Sequence, residues 1–399
     1  MYGRSMRARA AEAPKNPGRS VMAGFDDRSR FGSHGAWSRR RVLQGGALAG
    51  LGALLSRTGF AQGATEPDAG LVAAAKGEGT LTYYHTTAID PTAVWTKAFT
   101  DKFGITTQNV RGPSYPLFER WLTEERVGQH IADLVQITDT VLIESAHDEG
   151  LIADYVPASA AGIRPEMKKD GVWYTIFVNA MGIAWNSSKV TPEEDKLIRE
   201  GGWNVLTDPR WAGRFATGTP ASGGSSYSYV YMFLGGKRDQ FGPDFLAKMA
   251  ALKPQVYESK SPMYDRLAAG EHAIVDQASQ SDMGGLYLKG APIRWVFPDP
   301  TPANLTVQAI SAQAPHPNAA RLFQHWAASA EGQAAWFKVA GVASARDDTV
   351  DPRKAAKADW YKEDWYADPK DLYIDYLHDA GYVDPAKPII AEWNGIFGR

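Results

Sequence analysis

Thr219-Pro220-Ala221-Ser222-Gly223-Gly224-Ser225-Ser226 follows a short apolar run and opens an aromatic one. A helix amino terminus presents unpaired N–H donors and a partial positive charge, which suits phosphate, phosphonate or carboxylate. Glycines let such a group approach the backbone closely, and serine hydroxyls add donors. On its residues alone the loop reads equally well as a flexible turn ending in a helix cap. Carboxylates stand at other chain turns. Asp139 follows Leu134-Val135-Gln136-Ile137, and Asp276, with Gln277 and Ser279 behind it, follows Ala273-Ile274-Val275. Each can pair a ligand ammonium, and each can equally cap a turn. Tyr84, His85 and Thr86 end one further run, and Ser114 and Tyr115 lie at the end of another. Tyr115 and Trp185 offer aromatic faces to a carbon skeleton. His85 is as readily a satisfied structural histidine as a ligand contact.

Much chemistry is excluded. The chain has no cysteine, which rules out thiol catalysis, iron–sulfur clusters and cysteine-bound zinc. It has no Gly-x-Ser-x-Gly elbow, no His-Glu-x-x-His and no phosphate-binding P-loop. No catalytic residue, metal site or cofactor is therefore assigned, and nothing in the spacing of the Asp and His residues asks for an enzyme.

Alternating strands and helices must position these groups. Thr80–His85 is a β-branched and aromatic strand; Asp90-Pro91 then starts a helix carrying Trp95 and Phe99. Gly104-Ile105-Thr106 begins a second strand, Pro116 to Val127 a helix, and Ala132–Ile137 a third, buried strand. This alternation predicts a largely parallel sheet with crossover helices, whose ligands sit beyond the carboxyl ends of the strands. Trp173–Val178 and Met181–Asn186 read as consecutive strands. Phe215–Gly218, Ala273–Val275 and Ile293–Pro298 are further strands, and Tyr227 to Leu234 is an aromatic helix.

An address precedes this. Ser38-Arg39-Arg40-Arg41-Val42-Leu43 and the small apolar run Gly45 to Leu55 match a twin-arginine export signal, with cleavage expected near residue 63. The run is too short for a stable membrane span. The whole chain has a net charge of −2, but residues 1–63 hold 11 Lys/Arg and 3 Asp/Glu. The remainder carries 32 basic and 42 acidic side chains, a net charge of −10. That argues against nucleic acid or an anionic membrane as partner.

Four stretches resemble periplasmic solute-binding proteins of ABC importers, in the iron(III)-binding-protein-like branch. They are Gly77-Glu78-Gly79 with the strand Thr80–His85, then Leu206-Thr207-Asp208-Pro209-Arg210-Trp211-Ala212-Gly213-Arg214, then Leu267-Ala268-Ala269-Gly270-Glu271-His272-Ala273-Ile274. The fourth is His316-Pro317-Asn318-Ala319-Ala320-Arg321-Leu322-Phe323 with Ser329-Ala330-Glu331-Gly332-Gln333. In that last stretch Asn318 reads as a helix cap. The resemblance implies an α/β, type II two-lobe fold with a mostly parallel sheet in each lobe and a ligand cleft between them. It places one lobe at 64–178 and 303–345, the other at 179–302 and 346–399, and hinge strands near Asn179–Asn186 and Pro302–Ile310. The carboxyl-terminal tail is expected to pack as helices on the second lobe.

The resemblance also implies function. Iron-binding members carry adjacent tyrosines where this chain has Asp276-Gln277-Ala278-Ser279, and a histidine where it has a residue near Ala88. Asp139 matches their acidic ligand. Ferric iron prefers hard anionic oxygens, so losing both phenolates removes most of the set. The Gly/Ser loop falls where the family holds an anion, which favours the anion reading for Ser222, Gly223, Gly224, Ser225 and Ser226. With the carboxylates opposite, a small zwitterion such as an aminophosphonate is expected; sugar phosphates, other organophosphates and carboxylates fit too. The expected protein is a periplasmic monomer that hands a small molecule to a membrane ABC permease. Ferric iron binding, polyamine binding, a sensor subunit and a secreted enzyme are the alternatives.

Overall fold

The computed structural model describes residues 66–340, 342–349, 371–384 and 387–399. The export signal and its cleavage region lie outside the described residues. Among those described, no helix is long and apolar enough to cross a membrane.

The strands are β1 (Thr80–His85), β2 (Thr106–Arg111), β3 (Leu134–Ile137), β4 (Lys168–Lys169), β5 (Trp173–Asn186), β6 (Phe215–Gly218), β7 (Gln255–Tyr257), β8 (Ile274–Ser279), β9 (Ile293–Val296), β10 (Thr301–Ile310) and β11 (Leu372–Tyr373). Their order is β2-β1-β3-β10-β5-β8-β6-β7. Two parallel triplets therefore flank a pair of long strands. In the first lobe β1 pairs in parallel with β2 and β3, with Tyr84 opposite both Val110 and Val135. In the second β6 pairs in parallel with β7 and β8. Helices cross between them, as parallel pairing requires. This is the two-lobe α/β fold expected.

β5 and β10 run antiparallel between the triplets, with Asn179 opposite Asn304 and Ala180 opposite Ala303. The sequence reading of two strands here is corrected to one strand of 14 residues. The polar Asn179 does not mark a turn, because its backbone pairs across to β10 and its side chain hydrogen-bonds Ser281 (3.2 Å). The strand does deform at Gly182: a Cβ there would lie 2.1 Å from the Val296 carbonyl oxygen, and the register with β8 shifts between Gly182 and Ala184.

Aromatic residues fill both cores. Trp95 stacks on Trp336 (centroids 4.8 Å apart) and meets Phe323 and Trp326, locking helix Ile89–Phe103 against the helices Pro317–Ala328 and Ala330–Ala340. The helix Pro317–Ala328 is not capped by Asn318. Glu78, at the end of the first helix, reaches its open end instead, accepting from the N–H groups of Asn318 (3.2 Å) and Ala319 (2.7 Å). Described parts of the tail join the second-lobe core through Tyr376, Tyr382, Ile389 and Trp393, while β11 pairs with β10.

Candidate ligand-binding site

The Gly/Ser loop leaves β6 and turns twice. Thr219 accepts from the Ala221 N–H (3.2 Å), and the Ser222 hydroxyl donates back to the Thr219 carbonyl (2.9 Å). Gly223 and Gly224 then take φ of 75° and 53°, angles that a side chain resists. The helix Gly224–Tyr231 starts three residues before the expected Tyr227 and has no side-chain cap at its amino end. Its open end faces the first lobe. A Cβ on Gly223 would lie 2.6 Å from the Tyr115 ring, and one on Gly224 would lie 2.2 Å from the Thr138 hydroxyl and 2.9 Å from that of Ser114. The loops after β2 and β3 thus meet the loop after β6 across the lobes.

Asp139 anchors the first-lobe wall. Its Oδ1 caps helix Thr140–Asp148 through the N–H groups of Val141 (3.1 Å) and Leu142 (3.4 Å), and its Oδ2 accepts from the Tyr115 hydroxyl (3.2 Å). Burial, then Asp139, pushes the Tyr115 phenol far up; the same two causes act on Tyr227. Both stay protonated donors. Lys387 approaches Asp139 Oδ2 from the tail, at 3.8 Å.

The second-lobe wall holds a cation. Lys260 opens the helix Lys260–Ala269 and donates to the Ser225 hydroxyl. Burial lowers its pKa to about 8, against the opposing pull of Asp282 and Asp276. Asp276 is fully buried: Thr217 donates to its Oδ2 (2.8 Å), while Oδ1 has no partner. Burial raises its pKa to about 7, although Thr217 and the nearby Tyr229 and Lys260 pull it down. Gln277 takes φ of 53°, a strained angle for a non-glycine residue. Its amide donates to the Gly218 carbonyl (2.7 Å), and its Oε1 has no partner. Ser279 caps helix Gln280–Leu288.

The structure thus brings together Ser114, Tyr115, Asp139, Gly223, Gly224 and Ser225, with Asp276 and Gln277 behind them on β8. Four expected contacts stand apart. Tyr84 points into the first-lobe core, where its hydroxyl donates to Glu124 (2.9 Å) and accepts from Arg120. His85 is buried and stacked on Tyr83; burial lowers its pKa to about 4, so it is a neutral structural histidine. Thr86 is tied to Gln136. Trp185 is fully buried in the second-lobe core, its indole donating to Asp195 (2.8 Å). Helices cover this sheet on both faces, so Tyr84, His85 and Trp185 are buried on whichever face they take, which a strand-end position alone does not reveal. Ser222 and Ser226 serve the loop's own fold, the latter as a buried helix residue.

Sequence reasoning missed Lys260, Thr138, Tyr227 and Lys387. Only Lys260 leaves a trace: a lysine in the first turn of a helix opposes the helix dipole, so its place after Ser259 asks for a reason. Among the described residues, no group of three or more His, Asp or Glu side chains is arranged to hold a metal ion. A cavity of about 420 Å³ lies away from these loops, at the edge of the second lobe between Lys253, Tyr257, Arg266 and Glu271.

The description "Bacterial extracellular solute-binding protein" fits residues 83–339, well over half the chain. The chain belongs to that family. An uncharacterized protein of Haemophilus influenzae is 28% identical over 246 residues, which is 60% of this chain and 69% of that one. The solute-binding protein is also similar in fold to the periplasmic binding protein AfuA from Actinobacillus pleuropneumoniae, solved with fructose-6-phosphate. The TM-score is 0.64 at 22% identity, covering 80% of this chain and 98% of that one. Iron-bound HitA from Pseudomonas aeruginosa gives 0.61 at 20% identity, covering 79% and 99%. A periplasmic thiamin binding protein gives 0.62 at 18% identity, covering 80% and 96%. The fold is therefore shared by binders of chemically unlike solutes, and the site residues must decide the ligand.

Proposed function

We propose that this solute-binding protein captures a small anionic organic solute, a phosphate monoester, phosphonate or carboxylate, and delivers it to a membrane ABC permease. It works as a periplasmic monomer exported by the twin-arginine route, and it does no chemistry of its own. The lobes meet at their strand-end loops, with limits at 64–178 and 303–345 against 179–302 and 346–399. The observation that carries the reading is Lys260 on the Ser225 hydroxyl, at an uncapped helix end that faces Ser114 and Thr138. A full positive charge, a helix dipole and hydroxyl donors converge there, which is what a desolvated anion needs. The fructose-6-phosphate in AfuA is a solute of the same class on the same fold.

Mass spectrometry of the undenatured protein would identify a ligand retained through purification, and calorimetry with fructose 6-phosphate, ethylphosphonate and acetate would rank the anions. Ser225→Ala is expected to weaken the best anion about tenfold, with Ser222→Ala near neutral because that hydroxyl is spent on the loop. Equal, negligible effects of both would remove the loop from the site. Ferric iron is the second reading, because Tyr115, Tyr227 and Asp139 are hard oxygen donors at one place. A visible phenolate-to-iron absorption band on adding Fe(III) would establish it and sink the anion reading.

A further inference from the structure

The Lys387 ammonium sits in a box. It lies 4.6 Å from the ring centroid of Tyr227 and 5.2 Å from that of Tyr382, and 3.8 Å from Asp139 Oδ2. It donates to the Tyr382 carbonyl (3.0 Å). Two aromatic faces and a carboxylate form a recognition site for an organic cation, with attraction from the ring quadrupoles as well as from charge. The Tyr227 hydroxyl is buried without a partner. The lysine's contact with Asp139 is indirect. Its nitrogen stays beyond direct hydrogen-bond distance of Asp139, and its backbone takes φ of 45° just before Pro388, an angle disfavoured for a non-glycine residue. Lys387 also lies outside the stretch 83–339 that defines the family.

The box adjoins the anion end of the cleft. Tyr115 packs on Gly223 with its ring and bonds Asp139 with its hydroxyl, and Tyr227 lies on the helix whose amino end faces Lys260. Anion and cation subsites are thus joined through one side chain.

We infer that Asp139, Tyr227 and Tyr382 form an ammonium subsite that Lys387 occupies as an internal surrogate, and that the captured solute is a zwitterion whose ammonium displaces it. This rests on the reading of the helix end as the anion subsite. A ligand ammonium that hydrogen-bonds Asp139 directly gains what Lys387 at 3.8 Å lacks.

Lys387→Ala empties the box, and n-butylammonium reproduces the lost side chain. At matched ionic strength, millimolar n-butylammonium is expected to raise the melting temperature of the Lys387→Ala protein by several degrees and to leave the wild type unchanged. Asp139→Asn in the same background is expected to abolish the gain. Calorimetry then compares 2-aminoethylphosphonate with ethylphosphonate, and at least about tenfold tighter binding of the former is expected. Lys387→Met keeps the apolar stem and replaces the alanine variant if circular dichroism shows that variant unfolded. If n-butylammonium acts on both proteins alike or on neither, or if the two phosphonates bind alike, the ammonium subsite is overturned while the anion reading stands. If neither phosphonate binds but n-butylammonium still rescues, the anion reading falls and the ammonium subsite remains.

Discussion

Lys260 from one second-lobe helix donates to the hydroxyl of Ser225 in the first turn of another. This is an unusual place to keep a lysine. Two helix amino ends, each partly positive, surround a third positive charge, and burial strips its water. Burial lowers its pKa to about 8, while Asp282 and Asp276 pull it back up. In the proposed reading, a bound anion pairs that charge.

Lys260→Gln is therefore expected to weaken anion binding by ten- to a hundredfold, as losing a charged hydrogen bond does at roughly 1.5–3 kcal/mol. The free protein is expected to melt no lower than the wild type, because the desolvation cost of the charge is removed with it. Calorimetry and thermal melts separate the two effects. Unchanged affinity would remove Lys260 from the site.

The same lysine gives binding a proton signature. Its pKa is about 8 in the free protein and rises once an anion pairs it, so the anion favours the charged form. Between about pH 8 and 9 the complex is expected to take up a fraction of a proton, and affinity to fall as pH rises through that window. Titrations in two buffers of different ionisation enthalpy read the uptake directly. Equal heats in both buffers would show that Lys260 does not meet the anion.

Asp276 carries the opposite sign. Burial lifts its carboxyl from 3.8 to about 7, so in the window between these values the folded form holds a proton that the unfolded form has lost. The stability this contributes is present below the unfolded value and is lost as pH rises through about 7. Asp276→Asn, which cannot ionise, is expected to match the wild type at pH 4 and to melt several degrees higher at pH 8. Differential scanning calorimetry across that range checks it. A variant less stable at both pH values would mean that the ionised carboxylate is satisfied after all.

How far the sequence reaches is clear from such residues. The alternation of strands and helices was legible because period and punctuation are local, and the loop 219–226 was legible because glycine and serine mark an unusual backbone. Tyr84 and Trp185 were misplaced because a strand end fixes position, while helices on both faces of the sheet bury a side chain whichever face it takes. Glu78 capping Asn318 was hidden for another reason: a cap from a distant helix obeys the same chemistry as a local one but leaves no spacing to read. Lys387 lies more than a hundred residues beyond Lys260, and nothing in the tail's composition points back to the cleft. Pairings made by topology alone are what a single sequence withholds.

The Glu78 cap is itself testable. Glu78→Ala leaves the first N–H groups of helix Pro317–Ala328 unpaired and is expected to cost about 1 kcal/mol in urea unfolding, as lost caps do. Affinity for the solute should not change, since the helix is scaffold. An aspartate is too short to span the same gap, so Glu78→Asp is expected to behave like the alanine variant rather than like the wild type.

Two glycine hydrogens let the loops after β2, β3 and β6 pack against one another. A methyl group on Gly224 would lie 2.2 Å from the Thr138 hydroxyl, and one on Gly223 would lie 2.6 Å from the Tyr115 ring. Tyr115 is pinned through Asp139, and Thr138 can yield only by turning its hydroxyl about χ1. Gly224→Ala is therefore expected to hold the lobes apart, with two signatures. Small-angle scattering should show a larger radius of gyration that no longer shrinks on adding ligand. Affinity should fall by about a hundredfold or more, because the ligand keeps one wall of its site and loses the other. The positive φ adds a folding cost of about 1–2 kcal/mol, so the binding loss must be measured where circular dichroism shows the variant fully folded. A Gly224→Ala protein that still closes on its ligand would mean that Ser114 and Thr138 are not the opposing wall.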